Sequence, residues 1–164
     1  MRDRLTARVL LFDGQGRVLL MKGRLPHRPA HTAAWFTVGG GVEPGEGLAE
    51  AALREVAEET GFTDVVLGPV VWRREGEGVL ASGERVIFKE SYIVARCAGG
   101  EPSRAGWEPH ENDFVDDIRW WSLEEIAVAA ERIYPDRFCE LIGEVAAGRY
   151  PGEPLEITAV RLKA

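Results

Sequence analysis

At 164 residues and 45% hydrophobic content, the chain is sized for one domain that buries roughly two-thirds of its unfolded surface. A formal net charge of -7 argues against a nucleic-acid polymer as partner, because polymer binding rests on basic contacts to phosphate; a small anionic ligand held through a metal ion stays open. Two cysteines outside any CxxC spacing, Cys97 and Cys139, argue against a disulfide framework or a zinc centre and are expected to be reduced, buried thiols of a cytoplasmic protein.

No stretch approaches the ~20 apolar residues of a membrane span, and the N-terminal MRDRLTARVLLFD does not read as a signal peptide. Residues 5–12 (LTARVLLF) and 17–21 (RVLLM) flank a DGQG turn, which predicts a β-hairpin. Residues 22–33 carry two prolines with Lys22, Arg24, His27, Arg28 and His31, a basic loop. The aromatic, β-prone 34–38 (AWFTV) is a strand feeding Gly39, Gly40 and Gly41. Residues 47–60 have helical periodicity, with Leu48, Ala49, Ala52, Leu53 and Val56 on one face and Gly61 as the stop.

Residues 62–73 and 85–97 read as two strands of a hairpin, joined by a glycine-containing turn over 74–83. Residues 98–113 form a long polar loop. DIRWW at 117–121 is a strand with Trp120 and Trp121 on opposite faces, one in the core and one half-exposed. Ser122-Leu-Glu-Glu opens a helix expected over 122–133 by a capping box, and a second helix spans 136–147. A short edge strand is expected within 155–162. Mixed strands, a central helix, more strands and then helices predict a single α/β or α+β domain over residues 1–164, with helices covering a mixed sheet, a core at about 5–148 and a tail at 149–164.

Between Glu43 and Glu59 stand six glutamates and one arginine. On the helical wheel Glu55, Glu58 and Glu59 share an arc of about 100° beside the apolar face, Glu59 nearest the core. Like charges at i,i+3 and i,i+4 cost a few tenths of a kcal/mol per pair on an exposed helix and more where solvent is excluded. Such an arc is either a solvated acidic face or a cation site. The three glycines favour the site, since glycine lets backbone lie close to a ligand. Oxygen ligands would select magnesium or manganese. Arg54, on the flank, would orient a carboxylate by a bidentate contact.

The arrangement resembles the Nudix hydrolase signature G-x5-E-x7-R-E-U-x-E-E-x-G-U, with U apolar. Gly40, Glu46, Arg54, Glu55, Val56, Glu58, Glu59, Gly61 and Phe62 fill every fixed position. Val38 stands where a proline often precedes the glycine pair, and Gly47 where a serine or threonine often caps the helix. The resemblance implies an α/β/α sandwich with a mixed β-sheet. It also implies magnesium-dependent hydrolysis of a nucleoside diphosphate linked to another moiety, with manganese as an alternative ion. By position, Glu58 and Glu59 would be metal ligands and Glu55 a ligand or the base that activates water. Glu46 would support the ligands or a second ion, the Gly40 carbonyl would be a further ligand, and Arg54 would orient a glutamate.

Outside the signature, a further acid is expected from the loop before the last strand, Glu111 first among Glu111, Asp113, Asp116 and Asp117. Arg24, Arg28 and Lys22 are candidates for substrate phosphates. Trp35 or Phe36 is a candidate for stacking on a base, against a core role. The expected partner is a small nucleotide, on a monomer or homodimer. Residues 77–80 carry none of the markers by which some branches of the family announce their substrate. Two other readings stand beside hydrolysis: a catalytically silent sensor, and an isomerase on the same fold, which would want a cysteine at the site.

Overall fold

The computed structural model describes residues 1–23, 33–107 and 115–158. Its central strand is β1 (Arg2–Phe12), in which Thr6, Ala7 and the run Val9, Leu10, Leu11 and Phe12 are buried. A strand covered on both faces needs such a near-continuous apolar run. The other strands are β2 (Val18–Gly23), β3 (Ala34–Gly41), β4 (Val66–Val79), β5 (Arg85–Arg96), β6 (Val115–Trp121) and β7 (Leu155–Glu156). They form one mixed seven-stranded sheet, in the order β6-β2-β3-β1-β5-β4-β7. β1 runs parallel to β5, from Arg2 opposite Val86 to Phe12 opposite Arg96, and antiparallel to β3.

Alternation along β1 sends Ala7, Val9 and Leu11 to one layer and Leu10 and Phe12 to the other. The first layer is covered by α1 (Leu48–Thr60), through Ala51, Ala52 and Val56. The second is covered by α2 (Leu123–Ala127) and α3 (Phe138–Ala146), through Ile126, Phe138, Ile142 and Val145. The result is the expected α/β/α sandwich in a single domain. Among the described residues, no helix is long and apolar enough to cross a membrane.

Several local expectations need correction. The turn at 13–16 is present, with Asp13 accepting from the Gln15 and Arg17 N–H groups at 2.9 Å. However, β1 and β2 pair only at Phe12 and Val18, and β3 enters between them. Both strands are buried, so each needs partners on two edges. β4 continues through the stretch expected to turn, and the turn sits at 81–83. Gly78 makes this possible: a Cβ there would lie 2.4 Å from the Phe88 ring, which covers the strand across the pair.

The capping box at Ser122 is formed in full, yet α2 stops after five residues. Beyond it the Trp35 N–H donates to the Arg132 carbonyl at 2.9 Å and the Tyr134 N–H to the Trp35 carbonyl at 2.8 Å. These bonds to β3 hold that segment extended. Of the two thiols, Cys97 is buried as expected, whereas Cys139 is exposed.

The face that α1 buries also differs. Ala51, Ala52, Val56 and Thr60 are buried, while Ala49 is exposed and Leu53 is 42% exposed. The helix is rotated so that small residues meet the sheet and the Glu55–Glu59 side turns inward.

Candidate active site

The site is built where β3 ends against α1. Gly39 has φ of 137°, and a Cβ there would lie 2.1 Å from the Ala7 carbonyl oxygen of the paired strand. A Cβ on Gly40 would lie 2.4 Å from Oε1 of Glu55, so the Glu55 carboxylate rests directly on the Gly40 backbone. α1 then begins after Gly47, which supplies no side-chain cap, as its lack of a hydroxyl implies. It ends at Gly61 in the left-handed conformation, whose N–H donates to the Ala57 carbonyl at 2.9 Å.

Arg54 lies at the centre of the acids. Its Nε and Nη2 donate to Glu46 at 2.7 and 2.8 Å, a bidentate pair. Nη1 reaches Glu55 at 3.0 Å and Glu58 at 3.3 Å, and Nη2 also donates to the Gly41 carbonyl at 3.0 Å. The arginine therefore ties the loop to the helix rather than standing at the flank. It holds the Glu46 carboxyl down at about 2, chiefly through these hydrogen bonds.

Glu55 and Glu59 are different. Burial, the largest cause, pushes the Glu55 carboxyl above its ordinary value. Glu59 is pushed well above, first by burial and then by the charge of Glu55. Glu59 is anchored by the Gly39 N–H at 3.2 Å and is near enough to Glu55 to feel its charge.

Of the other expected site residues, Trp35 belongs to the core. It is 2% exposed and packs edge-on against Trp121 at 5.0 Å between ring centroids, so it is not open to stack on a base. Phe36 packs in the α1-side layer. Trp121 is buried and Trp120 half-buried, as expected. Lys22 is paired with Glu131. Asp116 and Asp117 are exposed on β6, where their charge acts on Lys22. Arg24, Arg28, Glu111, Asp113 and the three histidines lie outside the described residues.

Two residues at the site went unnoticed in the sequence. Arg8 Nη1 donates to the Gly39 carbonyl at 3.3 Å, and the Arg4 guanidinium lies against Gly41. Both come from β1, whose Thr6, Ala7 and Arg8 pair with Gly41, Gly40 and Gly39. Their signal was basic residues four apart in a strand, hence on one face.

The NUDIX domain family profile matches residues 2–141. An RNA pyrophosphohydrolase of Caulobacter vibrioides is 38% identical over 128 residues, covering 71% of this chain and 70% of that one. The chain belongs to the Nudix hydrolase family. Other members similar to this Nudix hydrolase include the nucleoside triphosphatase NudI of Salmonella agona, 30% identical, with 72% of this chain and 82% of that one covered. The fold matches a NUDIX-family hydrolase structure from Clostridium perfringens with a TM-score of 0.62 at 18% identity, over 90% of this chain and 98% of that one. Nudix hydrolases such as these relatives cleave pyrophosphate bonds and generally use divalent metal ions.

The chemistry of the donor set fits such an ion. Two half-buried carboxyls held above their ordinary values, Glu59 in part by the charge of Glu55, lie beside strand-end carbonyls and are hard oxygen donors short of a positive charge. Glu58 is drawn toward the same Arg54 nitrogen that holds Glu55.

This Nudix pair has a consequence for stability, whose sign follows from proton counting. Between the ordinary value of 4.5 and their raised values, Glu55 and Glu59 keep protons that the unfolded chain has released. Stability therefore falls as pH rises through that window. Glu46 acts oppositely, adding stability above 4.5 that is lost as pH drops toward about 2. In EDTA the melting temperature should decline as pH rises above 4.5, and a divalent cation should remove the decline by binding the native state. Thermal scans across that range with and without the ion check this. A melting temperature that climbs with pH in EDTA would contradict it.

Proposed function

We propose that this Nudix hydrolase cleaves a pyrophosphate bond in a nucleoside diphosphate linked to another moiety, with Mg2+ as its ion and Mn2+ as a substitute. The observation that carries the reading is the half-buried Glu55–Glu59 pair on the glycine strand end, inside a complete Nudix signature. Glu58, Glu59 and the Gly40 carbonyl hold the ion, and Glu55 is a further ligand or the base that takes a proton from water. Glu46 acts through Arg54, which it fixes bidentately, or takes part in a second ion site. When bound, the ion neutralises the carboxylates and stabilises charge developing on phosphoryl oxygens. Water attacks phosphorus, the bridging P–O bond breaks, and the water proton passes to the base. Arg24 and Arg28 meet the substrate phosphates, and Glu111 supplies a further acid. The protein acts in the cytoplasm, as a monomer or homodimer.

The relatives carry two kinds of substrate in their names, RNA and nucleoside triphosphates. The net charge of -7 supports the small nucleotide. The test is a panel of nucleoside triphosphates, dinucleotides and nucleotide sugars beside a 5′-triphosphorylated RNA, each with and without Mg2+, with product identification. Magnesium-dependent release of pyrophosphate or nucleoside monophosphate from a small nucleotide is expected. Turnover of the RNA alone would overturn the substrate class. Ligand binding with no product from any substrate would favour the silent sensor.

A further inference from the structure

We propose that Trp107 is a positioning residue for the metal-binding glutamates, acting through the last turn of α1; the inference rests on the ligand assignment above. That turn carries both Glu58 and Glu59, and a helix end is where backbone carbonyls lack partners and the chain frays. Here the segment 99–107 closes the end like a strap. The indole Nε1–H of Trp107 donates to the Glu59 carbonyl at 2.7 Å. The Ser103 N–H donates to the Thr60 carbonyl at 2.8 Å. Gly106 lies so close that a Cβ on it would sit 2.8 Å from the Glu58 carbonyl oxygen. Two of the four terminal carbonyls thus receive donors from the strap, and a third is in contact with it.

The strap is itself held to the sheet. The Arg104 guanidinium covers the Trp107 ring at 4.7 Å and donates to the Val115 carbonyl of β6 at 3.4 Å. Trp120, also on β6, donates to the Gly100 carbonyl at 2.8 Å. Trp107 is 8% exposed, so its ring is fixed by packing and its N–H points one way. Ligating groups must be held to within about 0.5 Å of their working geometry. A frayed last turn would move Glu58 and Glu59 by more than that, while the buried face from Ala51 to Val56 kept the rest of α1 in place.

Two indole donors on one strap make the test. Trp107→Phe keeps a ring and removes the N–H beside the glutamates; Trp120→Phe removes the N–H at the other end. Mn2+ binding, read by the electron paramagnetic resonance of the free ion, reports the site without turnover. Trp107→Phe should weaken Mn2+ binding about tenfold and lower kcat by a similar factor with little change in KM, the lower end of what partners behind a metal ligand contribute. Trp120→Phe should leave both within about twofold while costing similar thermal stability. Gly106→Ala, which presses on the Glu58 carbonyl, should weaken Mn2+ binding in the same direction and serves if Trp107→Phe does not fold. Native Mn2+ affinity in Trp107→Phe, with stability lost as in Trp120→Phe, would overturn the positioning role. Native affinity in Glu59→Gln as well would instead overturn the ligand assignment beneath it.

Discussion

Glu59→Gln should lower turnover by about a thousandfold, the equivalent of roughly 4 kcal/mol of lost transition-state stabilisation, and should raise the melting temperature of the metal-free protein. The two effects have one cause. Burial and the neighbouring Glu55 make an ionised Glu59 unfavourable when no cation is bound. Glutamine keeps an oxygen to accept from the Gly39 N–H and can donate to Glu55, so the substitution removes charge and leaves no orphaned group. Removing the cost of ionising Glu59 beside Glu55 is worth about 1 kcal/mol, or roughly 2–4 °C at this chain length. Steady-state rates and thermal scans in EDTA check both halves. A solvated acidic face would give neither effect, since exposed charges on a helix move stability by only tenths of a kcal/mol.

Gly39→Ala and Gly40→Ala should fail in different ways, although the residues are adjacent. At Gly39 a methyl group meets the Ala7 carbonyl oxygen at 2.1 Å, in a backbone conformation with φ of 137°. Both obstacles are backbone, and β1 is the centre of the sheet, so the cost is expected to exceed about 3 kcal/mol. At Gly40 the obstacle is the Glu55 carboxylate, the far end of a flexible side chain. It can swing aside, so the fold should survive with a loss of about 1 kcal/mol. Activity should drop about a hundredfold, because the displaced group is in the acid cluster. Denaturant unfolding and rates on the pair separate them. Equal stability losses would remove the distinction between a glycine required by the strand and one required by the site.

These contrasts mark how far the sequence was legible. The acids, their spacing and the limits of α1 are local quantities. A glycine on each side, a 3.6-residue period and six glutamates in one stretch are enough to read them. The capping box at Ser122 was local too, and it forms as expected. Its helix nevertheless stops at Ala127 because backbone bonds from Trp35 claim the segment that follows. Trp35 itself could be read either as a stacking surface or as core. Only the partner ring of Trp121, brought by β6 through β2, decides for the core.

The chemistry is written in the chain itself: a strand ending in glycine, and a helix presenting Glu55, Glu58 and Glu59 to one side. The rotation of that helix about its own axis comes from packing. The wheel alone favoured burying Leu53, since hydrophobicity is all that a periodic pattern can weigh. In the fold, two contacts between α1 and the end of β3 outweigh it: the Glu55 carboxylate on the bare Gly40 backbone, and the Gly39 N–H bound to Glu59. They turn the acids inward and leave Leu53 partly in water. Contacts between the helix side chains and the glycine backbone of β3 set that angle, and the charge they enclose is what an arriving cation would neutralise.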